Sequence, residues 1–146
     1  RSTLFPYTTL FRSSIGAMAP MGYSLPAAIG ASFATDKQVI SINGDGGIQM
    51  NVQELATLKE NDLDVIIFII NNSEFGIIRQ WQEQVYDMKP YQVKLSNPDF
   101  VKLASSYSID AVRVDNLSDL EYLLESDLHG PLVVEVVVRS ENVPLP

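Results

Sequence analysis

Two short apolar runs, each closed by a polar cluster, constrain this chain most. Val39-Ile40-Ser41-Ile42 leads into Asn43-Gly44-Asp45-Gly46-Gly47, and the run from Val65 to Ile70 leads into Asn71-Asn72. Short apolar runs bounded by turn residues read as strands buried on both faces. Between Gly46 and Asn71 lie 24 residues. A helix of about 12 residues rises ~18 Å, and a strand of about 6 residues returns ~20 Å. One right-handed β-α-β crossover would therefore bring both clusters to the same edge of a parallel sheet. Ligands of open parallel sheets bind outside that edge, at the carboxyl ends of the strands.

The rest of the chain alternates in the same way. The stretch from Gly16 to Ala34 contains a predicted helix with Pro26 in its first turn, where a missing N–H costs nothing. Its small residues Ala27, Ala28, Gly30 and Ala31 would allow close approach to a neighbour. Gln38 to Asn43 is a strand. Val52, Leu55 and Ala56 then recur at helical spacing, ending near Glu60-Asn61-Asp62. Glu74 to Asp87 reads as a helix with Ile77, Ile78 and Trp81 on one face, and Met88 to Ser96 as loop. Asn97-Pro98-Asp99 has the form of a helix start: a capping residue, a proline, then an acid in the first turn. Phe100, Val101, Leu103, Ala104 and Tyr107 supply the apolar face behind it. Asp110 to Val114 is a strand. Ser118-Asp119-Leu120-Glu121 fits a capping box opening a helix through Leu124. Gly130-Pro131 turns the chain into a last strand, Leu132 to Val138. Such alternation predicts one α/β domain: a doubly wound, mostly parallel sheet with helices on both faces.

Composition narrows the partners. The chain has 146 residues, enough for one domain with a core. Its formal charge is -8, with 18 acidic against 10 basic residues, which argues against nucleic acid and anionic membrane surfaces. Without cysteine there are no disulfides, and a cytoplasmic location is the expectation. No apolar run approaches the roughly 20 residues needed to span a bilayer. Residues 1–13 stand apart. Thr3 to Ser13 keep no steady period, and they resemble the translation of a short-read sequencing adapter. We therefore expect residues 1–13 to be non-native and the domain to occupy residues 14–146.

The polar clusters carry the chemistry. Asp45 offers a carboxylate on a tight turn. Gly44, Gly46 and Gly47 leave a phosphate unobstructed, and their N–H groups can donate to its oxygens. Asn72 offers an amide oxygen, and a main-chain carbonyl just beyond it a third ligand. Magnesium takes hard oxygen ligands and often shares them with phosphates, and an acidic chain would bind an anionic diphosphate through such a cation. The plainer alternatives are a hairpin turn at Asp-Gly and ordinary loop at Asn-Asn. Both clusters at strand ends, at crossover spacing, favour the ligand site. Other site types fail. There is no Gly-Lys-Ser/Thr for a P-loop, and Gln49 stands where a dinucleotide fingerprint needs glycine. The sole histidine, His129, sits in a turn and is assigned no role.

Gly44-Asp45-Gly46, followed after 24 residues by Asn71-Asn72, resembles the signature of thiamine-diphosphate-dependent enzymes. The segments from Met21 to Gly30 and from Gln49 to Leu55 are similar to those flanking it. Gly76-Ile77-Ile78-Arg79-Gln80-Trp81-Gln82 and Asn97-Pro98-Asp99-Phe100 resemble the acetolactate synthase branch, the likeness running from about Gly16 to Asn142. The resemblance implies that Asp45 and Asn72 bind Mg2+ through side chains and Glu74 through its carbonyl. It places Gly44, Gly46 and Gly47 on the diphosphate. It sets Ala19 and Met21 beside the aminopyrimidine, with Met21 supporting the bent cofactor. Phe75, Gly76, Ile77 and Ile78 would line thiamine diphosphate beyond the metal, and Trp81 would shape the substrate pocket for a larger 2-oxo acid.

The implied reaction decarboxylates pyruvate and ligates the two-carbon unit to a second 2-oxo acid. The implied assembly is a homodimer or homotetramer. Its activating glutamate would come from a neighbouring subunit, and FAD would bind in a middle domain outside these residues. No catalytic side chain is expected in this chain, which would be an inactive fragment by itself. A different thiamine-diphosphate-dependent decarboxylase or carboligase, or a non-catalytic α/β binding domain, is the alternative.

Overall fold

A computed structural model of the chain describes residues 20–142. Ala19 and the proposed non-native segment 1–13 lie outside the described residues. Helix α1, Ser24–Ser32, opens the described fold with Pro26 inside its first turn. Strand β1, Val39–Gly44, follows. Helix α2, Asp45–Ile48, starts at once, and a 3-10 turn over Val52–Glu54 runs into α3, Leu55–Glu60. Next come β2, Val65–Asn71, and α4, Gly76–Gln84. The remaining elements are α5, Phe100–Ser106, β3, Asp110–Val114, α6, Leu117–Glu125, and β4, Leu132–Val137.

The four strands form one parallel sheet in the order β1-β2-β4-β3. Strand β2 is central, and alternation along it feeds two cores. Val65, Ile67 and Ile69 point into one, with Leu25 and Ile29 of α1, Leu55 and Leu58 of α3, and Phe100 and Ala104 of α5. Ile66 and Phe68 point into the other, against Leu120, Leu123 and Leu124 of α6. Helices therefore cover both faces, as the doubly wound reading expects. Each fully buried aliphatic side chain contributes about 1.5–3 kcal/mol relative to exposure.

Five local expectations change. Among the described residues strand β1 lies at the sheet edge and is not buried on both faces, and Ile42 is 62% exposed. In α3 the inward residues are Leu55 and Leu58, while Ala56 faces out. In α1 the inward residues are Leu25, Ala28 and Ile29, and Gly30 meets only open space. Helix α5 is capped by Asp99, whose side chain accepts the Lys102 N–H, so Asn97 lies outside the cap. Helix α6 is capped by Asn116, two residues before the expected Ser118, with Asp119 as the answering residue at 2.7 Å. Asn and Ser both cap well, so local sequence alone did not separate them.

Candidate functional site

The site lies where β1 and β2 end side by side. Gly44 pairs with Ile70 across the parallel ladder, so Asp45 and Asn71 leave the sheet at the same level. The Asp45 carboxylate is buried and held by three N–H groups. Its Oδ1 accepts from the Gly46 N–H at 2.9 Å. Its Oδ2 accepts from the Ser73 N–H at 2.8 Å and from Asn97 Nδ2 at 2.7 Å. The Ser73 bond ties the two strand ends together directly. Asn72 Oδ1 accepts the Glu74 N–H at 3.1 Å. An open cavity of about 260 Å³ is lined by Gly44, Asp45, Ile70, Asn72, Glu74, Gly76, Ile77, Gln80 and Glu141.

Glycine is required at two places near it. A Cβ on Gly46 would come within 2.6 Å of the Phe75 ring. Gly22 has φ +88, a left-handed conformation that side chains disfavour. The turn it makes presses on the segment after α2: Asn51 Nδ2 donates to the Gly22 carbonyl at 3.0 Å. Gly44 meets nothing within 4 Å, so backbone at the cavity wall is open to a ligand.

Glu74 shows how the wall is held. Its buried carboxylate pairs with Arg79 Nε at 2.7 Å and Lys94 Nζ at 3.0 Å, and the Ser140 hydroxyl also donates to it. Burial pushes the Glu74 carboxyl up, but the hydrogen bonds and charges of Lys94 and Arg79 together hold it below its ordinary value. The Glu74 main-chain carbonyl faces back into the chain and accepts the Gly76 N–H at 3.0 Å. Among the described residues no group of three or more His, Cys, Asp or Glu side chains could hold a metal. A cation here would need the Asp45 carboxylate, the Asn72 amide oxygen and oxygens brought by a ligand. Such a hard, mixed set suits Mg2+ with a phosphate, and the residues present fit that group.

The structure thus brings Asp45, Asn72, Glu74, Gly44, Gly76 and Ile77 to one cavity. Gly46 and Phe75 pack on each other beside it. Gly47 lies in α2 near the Gly22 turn, and Met21 in that turn is 52% exposed. Ile78 and Trp81 are half-exposed on α4 and do not line the cavity. His129 is an exposed residue paired with Asp127 at 3.3 Å. Sequence reasoning missed Gln49, Asn97, Gln80, Glu141 and the buried Glu135. Only Glu135 left a visible signal, as a lone acid inside the apolar strand β4.

A family model described as thiamine pyrophosphate enzyme, C-terminal TPP binding domain, matches residues 4–136. The chain belongs to this family. Its thiamine pyrophosphate binding domain shares 44% identity over 135 residues with an acetolactate synthase large subunit of Cyanidium caldarium, covering 88% of this chain and 23% of that protein. It is 42% identical over 130 residues to a mitochondrial acetolactate synthase of Schizosaccharomyces pombe, covering 87% and 19%. A probable acetolactate synthase large subunit of Methanocaldococcus jannaschii is 41% identical over 135 residues, covering 89% and 23%. The chain thus spans about a fifth to a quarter of the length of the curated relatives it matches. Among the described residues no helix is long and apolar enough to cross a membrane.

Proposed function

We propose that this domain grips the diphosphate and metal end of thiamine diphosphate in an acetolactate synthase-like enzyme. That enzyme would decarboxylate pyruvate and join the two-carbon unit to a second 2-oxo acid. The observation that carries the reading is the in-register end of β1 and β2, which sets Asp45 and Asn72 on one cavity. Thiamine diphosphate supplies, when bound, the carbanion-stabilising chemistry that decarboxylation of a 2-oxo acid needs.

This chain's residues would bind and orient. Asp45, Asn72 and the Glu74 carbonyl would hold Mg2+, and the backbone of Gly44, Gly46 and Gly47 would lie against the diphosphate, with the Gly46 N–H already given to Asp45. Ala19 and Met21 would lie against the aminopyrimidine. Phe75, Gly76, Ile77 and Ile78 would form an apolar wall against water. Trp81, half-exposed on α4, would face the acceptor 2-oxo acid. The whole enzyme would be a cytoplasmic homodimer or homotetramer, with the activating glutamate from a neighbouring subunit and an FAD site in a middle domain. Residues 1–13 would be foreign to it, which intact mass measurement of the parent protein tests.

The decisive experiment is calorimetry of thiamine diphosphate binding to the full-length enzyme in Mg2+. Asp45→Ala should abolish Mg2+-dependent binding, and an unchanged affinity would refute the ligand assignment. The isolated chain should not turn over pyruvate; steady acetolactate production by it would refute the fragment reading.

A further inference from the structure

We propose that Asn97 is a positioning residue for the Asp45 carboxylate, fixed in its working orientation by Gln49 and, through Asn71, by the buried Glu135. The inference rests on the reading of Asp45 as a metal ligand and extends it to residues outside the cavity lining. Asn97 stands in the loop before α5, 52 residues from Asp45. It reaches the site because the loop ahead of it is pinned beside β2: Phe75 N–H donates to the Val93 carbonyl and Leu95 N–H to the Ser73 carbonyl. Its Nδ2 donates twice, to Asp45 Oδ2 at 2.7 Å and to Asn71 Oδ1 at 2.9 Å. Its own Oδ1 accepts from Gln49 Nε2 at 3.0 Å. Gln49 Nε2 also donates to the Asp45 carbonyl at 3.0 Å, closing a ring of bonds around the start of α2.

Direction is what this network supplies. An amide can be turned over, exchanging donor for acceptor, at little steric cost. An ionised carboxylate can only accept. Glu135, 1% exposed in the valine-rich β4, accepts from Asn71 Nδ2 at 2.6 Å. That bond sets which way the Asn71 amide faces, so its oxygen must meet Asn97 and Ser73. Asn97 is then committed, from both sides, to pointing its N–H groups at Asp45 and Asn71.

The result at Asp45 is a carboxylate with three N–H donors. A carboxylate has about four lone-pair directions, so about one is left, and it is fixed in space. Mg2+ demands near-ideal octahedral geometry where Ca2+ tolerates variation, so a fixed ligand favours the smaller ion. Glu135 carries a cost that otherwise lacks a purpose: its Oε2 is buried without a hydrogen bond, and Arg113 Nη1 stands 3.8 Å away. A buried carboxylate partnered this thinly is expensive, and setting the polarity of the Asn71–Asn97 pair is a task that an apolar residue could not perform.

The test uses the full-length enzyme that carries this domain, with Mn2+ as the probe, followed by electron paramagnetic resonance in the presence of thiamine diphosphate. Mg2+ and Ca2+ are then titrated in competition. Asn97→Asp is isosteric but loses both N–H donors and opposes Asp45; it should weaken Mn2+ binding by about 10–100-fold, the usual cost of losing a partner behind a metal ligand. It should also shift the competition from Mg2+ toward Ca2+, a change that a merely structural role would not produce. Glu135→Gln should do the same to a smaller degree, and it decides the question if Asn97→Asp fails to fold. Asp99→Asn alters the nearby helix cap and should leave both readouts unchanged. Wild-type Mn2+ uptake with unchanged affinity and ion preference in the folded variants would overturn this inference alone. Absence of Mn2+ uptake by the wild-type enzyme would overturn the reading of Asp45 and this inference with it.

Discussion

Replacing Gly46 by alanine sets two local effects against each other, and the structure says which wins. Gly46 lies inside the short helix α2, where alanine gains up to ~1 kcal/mol over glycine from helix propensity alone. Against that, the new Cβ would sit 2.6 Å from Phe75 Cε1 and 3.1 Å from Leu95 Cδ1. Carbon atoms rest at about 3.5–4.0 Å, so the ring must retreat by about 1 Å. Its retreat is opposed by the Phe75 N–H bond to the Val93 carbonyl, 2.8 Å, which anchors the backbone. Overpacking of this kind costs about 1–3 kcal/mol. The balance is a net loss of about 1–2 kcal/mol. In urea this moves the unfolding midpoint down by about 0.5–1 M with an unchanged slope. The decisive comparison is the same substitution in a Phe75→Leu background. There the collision is gone, and Gly46→Ala should become neutral or stabilising, a coupling of about 1–2 kcal/mol between the two sites. Equal losses in both backgrounds, or no loss in either, would refute the close-approach argument for this glycine.

Two further outcomes follow from the packing and the charges. Phe100→Ala empties a fully buried ring position under β3 and β4 and should cost about 3–5 kcal/mol in chemical unfolding, whereas Tyr122→Ala, 79% exposed on α6, should fall within about 0.5 kcal/mol of wild type. The Asp99 carboxyl is held below its ordinary 3.8, first by the Lys102 N–H and then by the Lys102 ammonium group. A lowered acid contributes stability above its unfolded value that fades as pH falls through the folded one. Asp99→Asn should therefore lower the thermal midpoint at neutral pH, with the gap to wild type closing below about pH 3.8; a gap that is constant across that range would refute the assignment.

The features legible in the sequence are those set by local pattern. Strand β2 announced itself as an unbroken apolar run between turn residues, and the meeting of its end with that of β1 at one sheet edge followed from crossover length. The carboxyl-edge cavity followed from both. What stayed hidden depends on pairings distant in sequence. Asn97 looked like a helix cap because Asn-Pro-Asp is chemically a good cap, and nothing within a turn of it reveals Asp45 or Asn71. The exposed Ile42 looked like core because β-branched composition does not say whether a strand is central or at an edge. Trp81 and Ile78 shared a helical face as expected, yet that face is turned outward in the described residues. The α6 start slipped by two residues because Asn116 and Ser118 compete for one job and only the chain's exit from β3 decides between them.

The alternation along β2 has a consequence for how the chain can vary in length. Val65, Ile67 and Ile69 serve one core while Ile66 and Phe68 serve the other. Inserting or deleting one residue inside this strand would exchange the two sets. It would also rotate Asn72 away from the level of Asp45, so both cores and the cavity would fail in a single step. The loop over residues 86–92 has no such double duty, and length changes during divergence or engineering should collect there, leaving the strand's residue count untouched.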